Sequence, residues 1–133
     1  MVFNEQSWKV AQAFRGKIAS EYLKYIDATN AEAGRTLVQY GNDKGFTNKS
    51  KAVYGKTLLA WKSGESVPYW AVKTMLSFII EHGFIPEDES MLDSIVVLFC
   101  KDISELDCLT YLLQATRNVS QEELSKSLLR VRA

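Results

Sequence analysis

Residues 6–26 read QSWKVAQAFRGKIASEYLKYI, and the spacing of their apolar members decides the fold class. Trp8, Ala11, Phe14, Ile18, Tyr22 and the pair Tyr25/Ile26 recur at intervals of three and four. An α-helix turns once every 3.6 residues, so these side chains share one face, and the spacing predicts a long first helix from about Gln6 to Ile26. Gly16 interrupts it at a cost of about 1 kcal/mol relative to alanine, which points to close packing or a bend there.

The same signals continue along the chain. Thr29 and Glu32 stand at capping-box spacing, so a second helix follows, burying Leu37, Val38 and Tyr40 and ending in Gly41-Asn42-Asp43-Lys44-Gly45. Thr47 can cap a third helix running to Trp61 or Lys62 and stopped by Gly64. Pro68 suits the first turn of a fourth, where a missing N–H is harmless, with Val72, Met75, Leu76, Ile79 and Ile80 inward and Gly83 at its end. Pro86 is expected to start a fifth through Met91, Leu92, Ile95, Val96 and Phe99. A sixth, capped near Asp102 or Ser104, is expected to bury Leu106, Leu109, Leu112 and Leu113. The last begins at a capping box of Ser120 and Glu123, with Val119 and Leu124 at the two positions of a hydrophobic staple. No period-two alternation lasts long enough for a strand. The expectation is an all-α chain: a single domain over residues 1–133, folded as a compact bundle of about six or seven helices containing a helix-turn-helix-like unit, with that unit at about residues 30–82. Helices over 86–131 complete the core or dimerise.

At 133 residues with a 47% hydrophobic share, the chain is long enough for one core and too apolar to be disordered. The longest uncharged apolar run, Ser94 to Cys100, is far short of the ~20 residues of a membrane span. Asn4, Glu5 and Gln6 precede the first apolar positions, unlike a signal peptide. Cys100 and Cys108 lie in an apolar stretch with no nearby histidine, which reads as reduced core thiols in a soluble, cytoplasmic protein.

The inventory of reactive groups is thin. The lone histidine, His82, falls at a helix end, where it can serve the last carbonyls. HExxH, P-loop, GxGxxG and GxSxG patterns are absent, and so is a calcium loop. Glu87, Asp88 and Glu89 sit where negative charge offsets the positive start of a helix. These readings predict a protein that is not an enzyme and carries no cofactor and no metal.

Charge is balanced overall, with 16 basic and 16 acidic residues, but it is segregated. From Arg35 to Lys62, Arg35, Lys44, Lys49, Lys51, Lys56 and Lys62 face Asp43 alone, a net of +5. From Glu81 to Asp107, eight acids face Lys101, a net of −7. A chain polarised in this way can meet an anionic partner with one face and stay soluble through the other.

The basic stretch contains Ala52-Val53-Tyr54-Gly55-Lys56-Thr57-Leu58-Leu59-Ala60-Trp61-Lys62-Ser63-Gly64. A helix here with Val53, Leu58 and Trp61 inward leaves Gly55, Lys56, Leu59 and Ala60 outward. Lys56 and Thr57 can then reach phosphates or base edges, and Lys49, Lys51 and Lys62 flank them as backbone contacts. Trp61 and Trp70, at helical positions, read equally well as core or interface anchors.

This stretch resembles the second half of the Cro/repressor-type (XRE-like) helix-turn-helix DNA-binding family, over about residues 47–80. Ala52 stands at the small turn residue, Val53 at the aliphatic, Tyr54 at the cap, Thr57-Leu58 at the Thr-aliphatic pair. Trp61-x-x-Gly64 marks the helix exit, and Pro68 starts the next helix. Where the family has a short scaffold helix and a tight turn, this chain has Gly41-Asn42-Asp43-Lys44-Gly45-Phe46 and a lysine-rich stretch. The resemblance implies that Tyr54 through Lys62 lie in the major groove of DNA while the preceding helix crosses the phosphate backbone. The expected function is therefore a DNA-binding transcriptional regulator of phage or mobile-element scale, dimeric through its C-terminal helices. Its expected nucleic-acid contacts are Lys44, Lys49, Lys51, Tyr54, Lys56, Thr57 and Lys62. The alternative is a protein–protein interaction module, an adaptor or inhibitor, using the acidic stretch 81–107.

Overall fold

The computed structural model describes residues 1–64 and 66–133; residue 65, inside the helix-turn-helix-like region 30–82, lies outside the described residues. The described residues form seven α-helices: α1 (Glu5–Ile26), α2 (Asn30–Asp43), α3 (Gly55–Lys62), α4 (Tyr69–Glu81), α5 (Glu89–Cys100), α6 (Cys108–Ala115) and α7 (Gln121–Val131). Among the described residues there is no strand, only an isolated antiparallel bridge between Phe3 and Arg132. The all-α bundle class is as expected. Contacts gather into two units, one of residues 1–14 and 83–133 and the other of residues 15–82.

Helix ends in both units are fixed by local polar chemistry. At α2 the Thr29 hydroxyl accepts from the Glu32 amide at 3.2 Å, and at α7 the Ser120 hydroxyl accepts from the Glu123 amide at 3.1 Å. Each satisfies one of the donors a helix start leaves unpaired. The Ser120 hydroxyl also donates to the Glu123 carboxylate at 3.2 Å. Gly83, at φ +101° just past α4, takes a left-handed turn that a side chain would resist. Beside it, His82 Nδ1 donates to the Phe78 carbonyl at 2.7 Å, and its ring stacks on Phe78 at 4.0 Å. The single histidine thus serves the end of its helix.

Three boundaries differ from expectation. Pro86 does not start α5; Asp88 caps it, its carboxylate accepting from the Met91 amide at 2.8 Å. Two acids follow Pro86, and the second can bond the backbone N–H groups that proline leaves to others. The sixth helix begins at Cys108, after the turns that contain Asp102 and Ser104. Leu106 consequently falls outside it and is exposed, as is Leu113, while Leu112 and Cys108 are buried. The third difference, at residues 47–54, shapes the candidate site and is described with it.

In the unit of residues 15–82, α4 is buried from Ala71 to Ile80 except at Lys73. The expected inner residues Val72, Met75, Leu76, Ile79 and Ile80 are all among them. Tyr22 is fully buried and donates to the Ala33 carbonyl at 2.7 Å. Its ring meets the edge of Phe78 at 5.2 Å, and burial pushes its hydroxyl pKa well above the usual phenol value.

In the unit of residues 1–14 and 83–133, α5 is buried from Met91 to Cys100 except at Asp93. That carboxylate accepts from Arg130 Nε at 3.0 and 3.1 Å, from Arg130 Nη2 at 2.8 Å and from the Ser127 hydroxyl at 2.5 Å. The pair ties α5 to α7, and its hydrogen bonds raise the Arg130 pKa above its ordinary value. Asn4 works at the C-terminal end of α7. Its amide donates to the carbonyls of Arg130 at 2.8 Å and Arg132 at 3.3 Å, while its oxygen accepts from the Ser7 amide at 2.8 Å and so caps α1. Cys100 and Cys108 are both buried, and neither forms a disulfide.

Candidate nucleic-acid interface

The candidate site is built by residues 44–54, which join α2 to α3 without helix. Gly45, at φ +77°, reverses the chain, and the Phe46 amide bonds back to the Gly41 carbonyl at 2.8 Å. Residues 47–54 then run back along α2 from its C-terminal to its N-terminal end. Three close approaches hold this strap. Asn42 Nδ2 donates to the Lys49 carbonyl at 2.7 Å. The Val53 amide donates to the Gly34 carbonyl at 3.3 Å. Gly55 comes so near Asn30 that a Cβ on it would lie 2.9 Å from the asparagine Cβ.

The lengths match. Extended chain advances about 3.3 Å per residue and helix about 1.5 Å. The run from Lys49 to Val53 therefore covers about 13 Å, and the α2 run from Asn42 to Gly34 about 12 Å. Gly34 makes the contact possible, because a Cβ there would fall 1.8 Å from the Val53 carbonyl oxygen.

This strap overturns the expected third helix starting at Thr47. Between Thr47 and Ala52 the chain has no apolar stripe to bury, so its backbone finds partners on α2 instead. The short helix α3 starts only at Gly55, with Tyr54 as an N-cap whose side chain makes no capping bond. The orientation of α3 is as expected for Leu58 and Trp61, which are buried, and for Lys56 and Leu59, which are exposed. Gly55 does not face outward; it packs against the start of α2. The strap, and not the tight turn expected of a helix-turn-helix-like unit, joins α2 to α3.

Between strap, α3 and the start of α4 lies an open cleft of about 530 Å³. The strap contributes Asn48 through Tyr54, α3 contributes Thr57 and Trp61, and the start of α4 contributes Pro68 and Trp70. Lys49 Nζ stands 5.6 Å over the Trp70 ring, a cation–π contact. Tyr54 is 77% exposed, the most open aromatic side chain of the region. A second groove, of about 460 Å³, lies on the α2 side of the strap and is lined by Arg35, Gln39, Asn42, Asp43, Lys49, Ser50 and other residues. Lys49 lines both.

The seven expected contact residues divide. Lys49, Lys51, Tyr54 and Thr57 meet in the first cleft. Lys56 and Lys62 are exposed on α3 but outside the lining. Lys44 is drawn elsewhere: its ammonium lies 2.5 Å from the Glu81 carboxylate and 5.4 Å over the Tyr40 ring. Lys49, Lys51, Lys56 and Lys62 have no carboxylate partner among the described residues. Two further residues belong to the surface, Trp70 in the cleft and Arg35 in the neighbouring groove. Trp70 has the signal of a half-buried aromatic next to a helix-starting proline, but only the strap reveals which residues it faces.

Among the described residues, no group of three or more His, Cys, Asp or Glu side chains could hold a metal ion, and no helix is long and apolar enough to cross a membrane. Comparison with protein-family models, with curated proteins and with solved structures finds no match to this chain.

Proposed function

We propose that this chain binds nucleic acid through the strap and α3, as a non-enzymatic DNA-binding regulator. One observation carries the reading: four lysines within residues 49–62 lack a carboxylate partner among the described residues, and two of them share a cleft with Tyr54, Thr57 and Trp70. An ammonium with no internal counter-ion is free to replace the counter-ions of a phosphate chain, and the ions released drive binding. The strap and α3 supply phosphate contacts from Lys49, Lys51, Lys56 and Lys62. Tyr54 and Thr57 stand where they can touch bases. In the same reading the chain acts as a homodimer through its C-terminal helices, where Leu113 on α6 and Leu129 on α7 are exposed.

The acidic stretch is less suited to act as the binding face of an adaptor or inhibitor. Asp93, Asp88, Glu105 and Asp107 already hold partners within the fold.

A gel-shift or fluorescence-anisotropy series across salt tests the proposal. Affinity should fall steeply as salt rises, and each of Lys51→Glu and Lys56→Glu should lower the logarithmic salt slope by about one. Binding that is absent at low salt, or indifferent to both charge reversals, would sink it.

A further inference from the structure

The cleft beside the strap has a feature that a duplex-reading surface does not need. Its walls present aromatic faces: Tyr54 is 77% exposed, and Trp70 is half-buried with one face under the Lys49 ammonium at 5.6 Å. In a duplex the bases stack on each other and offer only their edges to a protein. An aromatic face is complementary to a base that has left the stack. The stripe of α3 that includes Thr57 and Trp61 opens into the same cleft as the strap. A recognition helix standing alone in a major groove would carry no such second wall. The floor combines these rings with Lys49 and Lys51, the pairing of cation and aromatic that tracks a single strand. At about 530 Å³ the cleft is of the size that holds one small ligand, and a nucleotide or two is of that order.

We infer that the cleft takes unpaired nucleotides of a single-stranded nucleic acid, one base stacking on Tyr54 or Trp70 and the adjoining phosphates meeting Lys49 and Lys51. This rests on the nucleic-acid reading above and specifies its ligand. Lys49 has two roles in turn: in the free protein its ammonium covers the Trp70 ring, and on binding the base replaces it while the ammonium passes to a phosphate. No covalent step is involved.

The test uses the full chain and fluorescein-labelled oligonucleotides of one length: oligodeoxythymidylate, oligouridylate, and a mixed-sequence duplex. The expected result is at least tenfold tighter binding of a single strand than of the duplex, with tryptophan fluorescence quenched on binding. The ratio of the two single strands then names DNA or RNA as the source. Tyr54→Ala, at an exposed position, should keep the circular-dichroism spectrum of the parent. It should weaken single-strand binding about tenfold. Trp70→Phe should preserve most binding and reduce the quench. Duplex binding equal to or tighter than single-strand binding, with Tyr54→Ala neutral, overturns the single-strand inference and leaves the nucleic-acid reading standing. Tight single-strand binding that ignores Tyr54→Ala, with a quench that Trp70→Phe leaves undiminished, overturns the stacking site. Absence of binding to all three probes at low salt overturns both proposals.

Discussion

The acidic stretch from Glu81 to Asp107 and the basic stretch from Arg35 to Lys62 look like mirror images in the sequence, yet the fold treats them differently. Most of the acids are engaged within the fold. Glu81 pairs with Lys44, Asp88 caps α5, and Asp93 binds Arg130 and Ser127; Asp102 lies near Lys101, Glu105 near Arg132, and Asp107 accepts from Ser104. Most of these contacts are exposed and contribute little singly. Asp93 is the exception, being only 20% exposed and bonded in a fork. Among the described residues the lysines of the strap and α3 have no such partners, and the strap is held by backbone and amide contacts instead. Charge that meets its complement inside the fold builds it; charge left unmatched is available to something outside.

Four tests by substitution can break or sharpen this contrast. The largest effect is expected from Gly34→Ala, whose added methyl would collide with the Val53 carbonyl oxygen. It should cost about 3 kcal/mol in chemical denaturation and release the Val53 amide to hydrogen exchange. A loss below about 0.5 kcal/mol would mean that the strap does not depend on backbone proximity. Asp93→Ala comes next, at about 2 kcal/mol, because it leaves a half-buried guanidinium without its fork. A double-mutant cycle with Arg130→Ala should recover a coupling of about 1 kcal/mol or more.

Tyr22→Phe should cost about 1 kcal/mol near neutrality by removing the bond to the Ala33 carbonyl. It has a second signature in alkali. Burial raises the pKa of Tyr22 in the folded chain, so the unfolded chain releases that proton first as pH climbs past about 10. The contribution of Tyr22 is therefore whole below that pH and fades above it, and urea melts should show a shallower alkaline decline in the phenylalanine variant. The smallest effect belongs to the pair Lys51→Glu and Lys56→Glu, which should leave the melting temperature where it is. If they destabilise as much as Asp93→Ala, the distinction between engaged and unmatched charge collapses.

Sequence reading reached furthest where structure is local. The long face of α1, the caps of α2 and α7 and the apolar runs of α4 and α5 are all visible in residue spacing, because each depends on neighbours within a turn or two. The strap is different. Thr47 has the chemistry of a cap, and only the contacts of Lys49 with Asn42 and of Val53 with Gly34 draw the following residues out of a helix. Neither contact follows a helical or strand repeat, and a single glycine carries no sign of what will approach it. The site was legible to a similar degree. Lys49, Lys51, Tyr54 and Thr57 are adjacent in sequence and adjacent in the cleft. Lys44 lies equally close in sequence, but the partner that draws it away, Glu81, is on another helix. Leu106 was lost to the same kind of error, since its run of leucines suggests a helix that starts two residues later.

The Asn4 tie has a consequence for how the chain is made. The residue that caps α1 also satisfies carbonyls at Arg130 and Arg132. During synthesis Asn4 leaves the ribosome well before α7, at about 5–20 residues per second, so this junction closes only after residues 130–132 have emerged. Until then Phe3 and Trp8, stacked at 6.2 Å in the finished protein, lack the end of α7 that the Asn4 amide bonds in the folded chain. A nascent chain stalled before residue 130 should therefore be the species most open to protease at its first ten residues, and the one most in need of a chaperone.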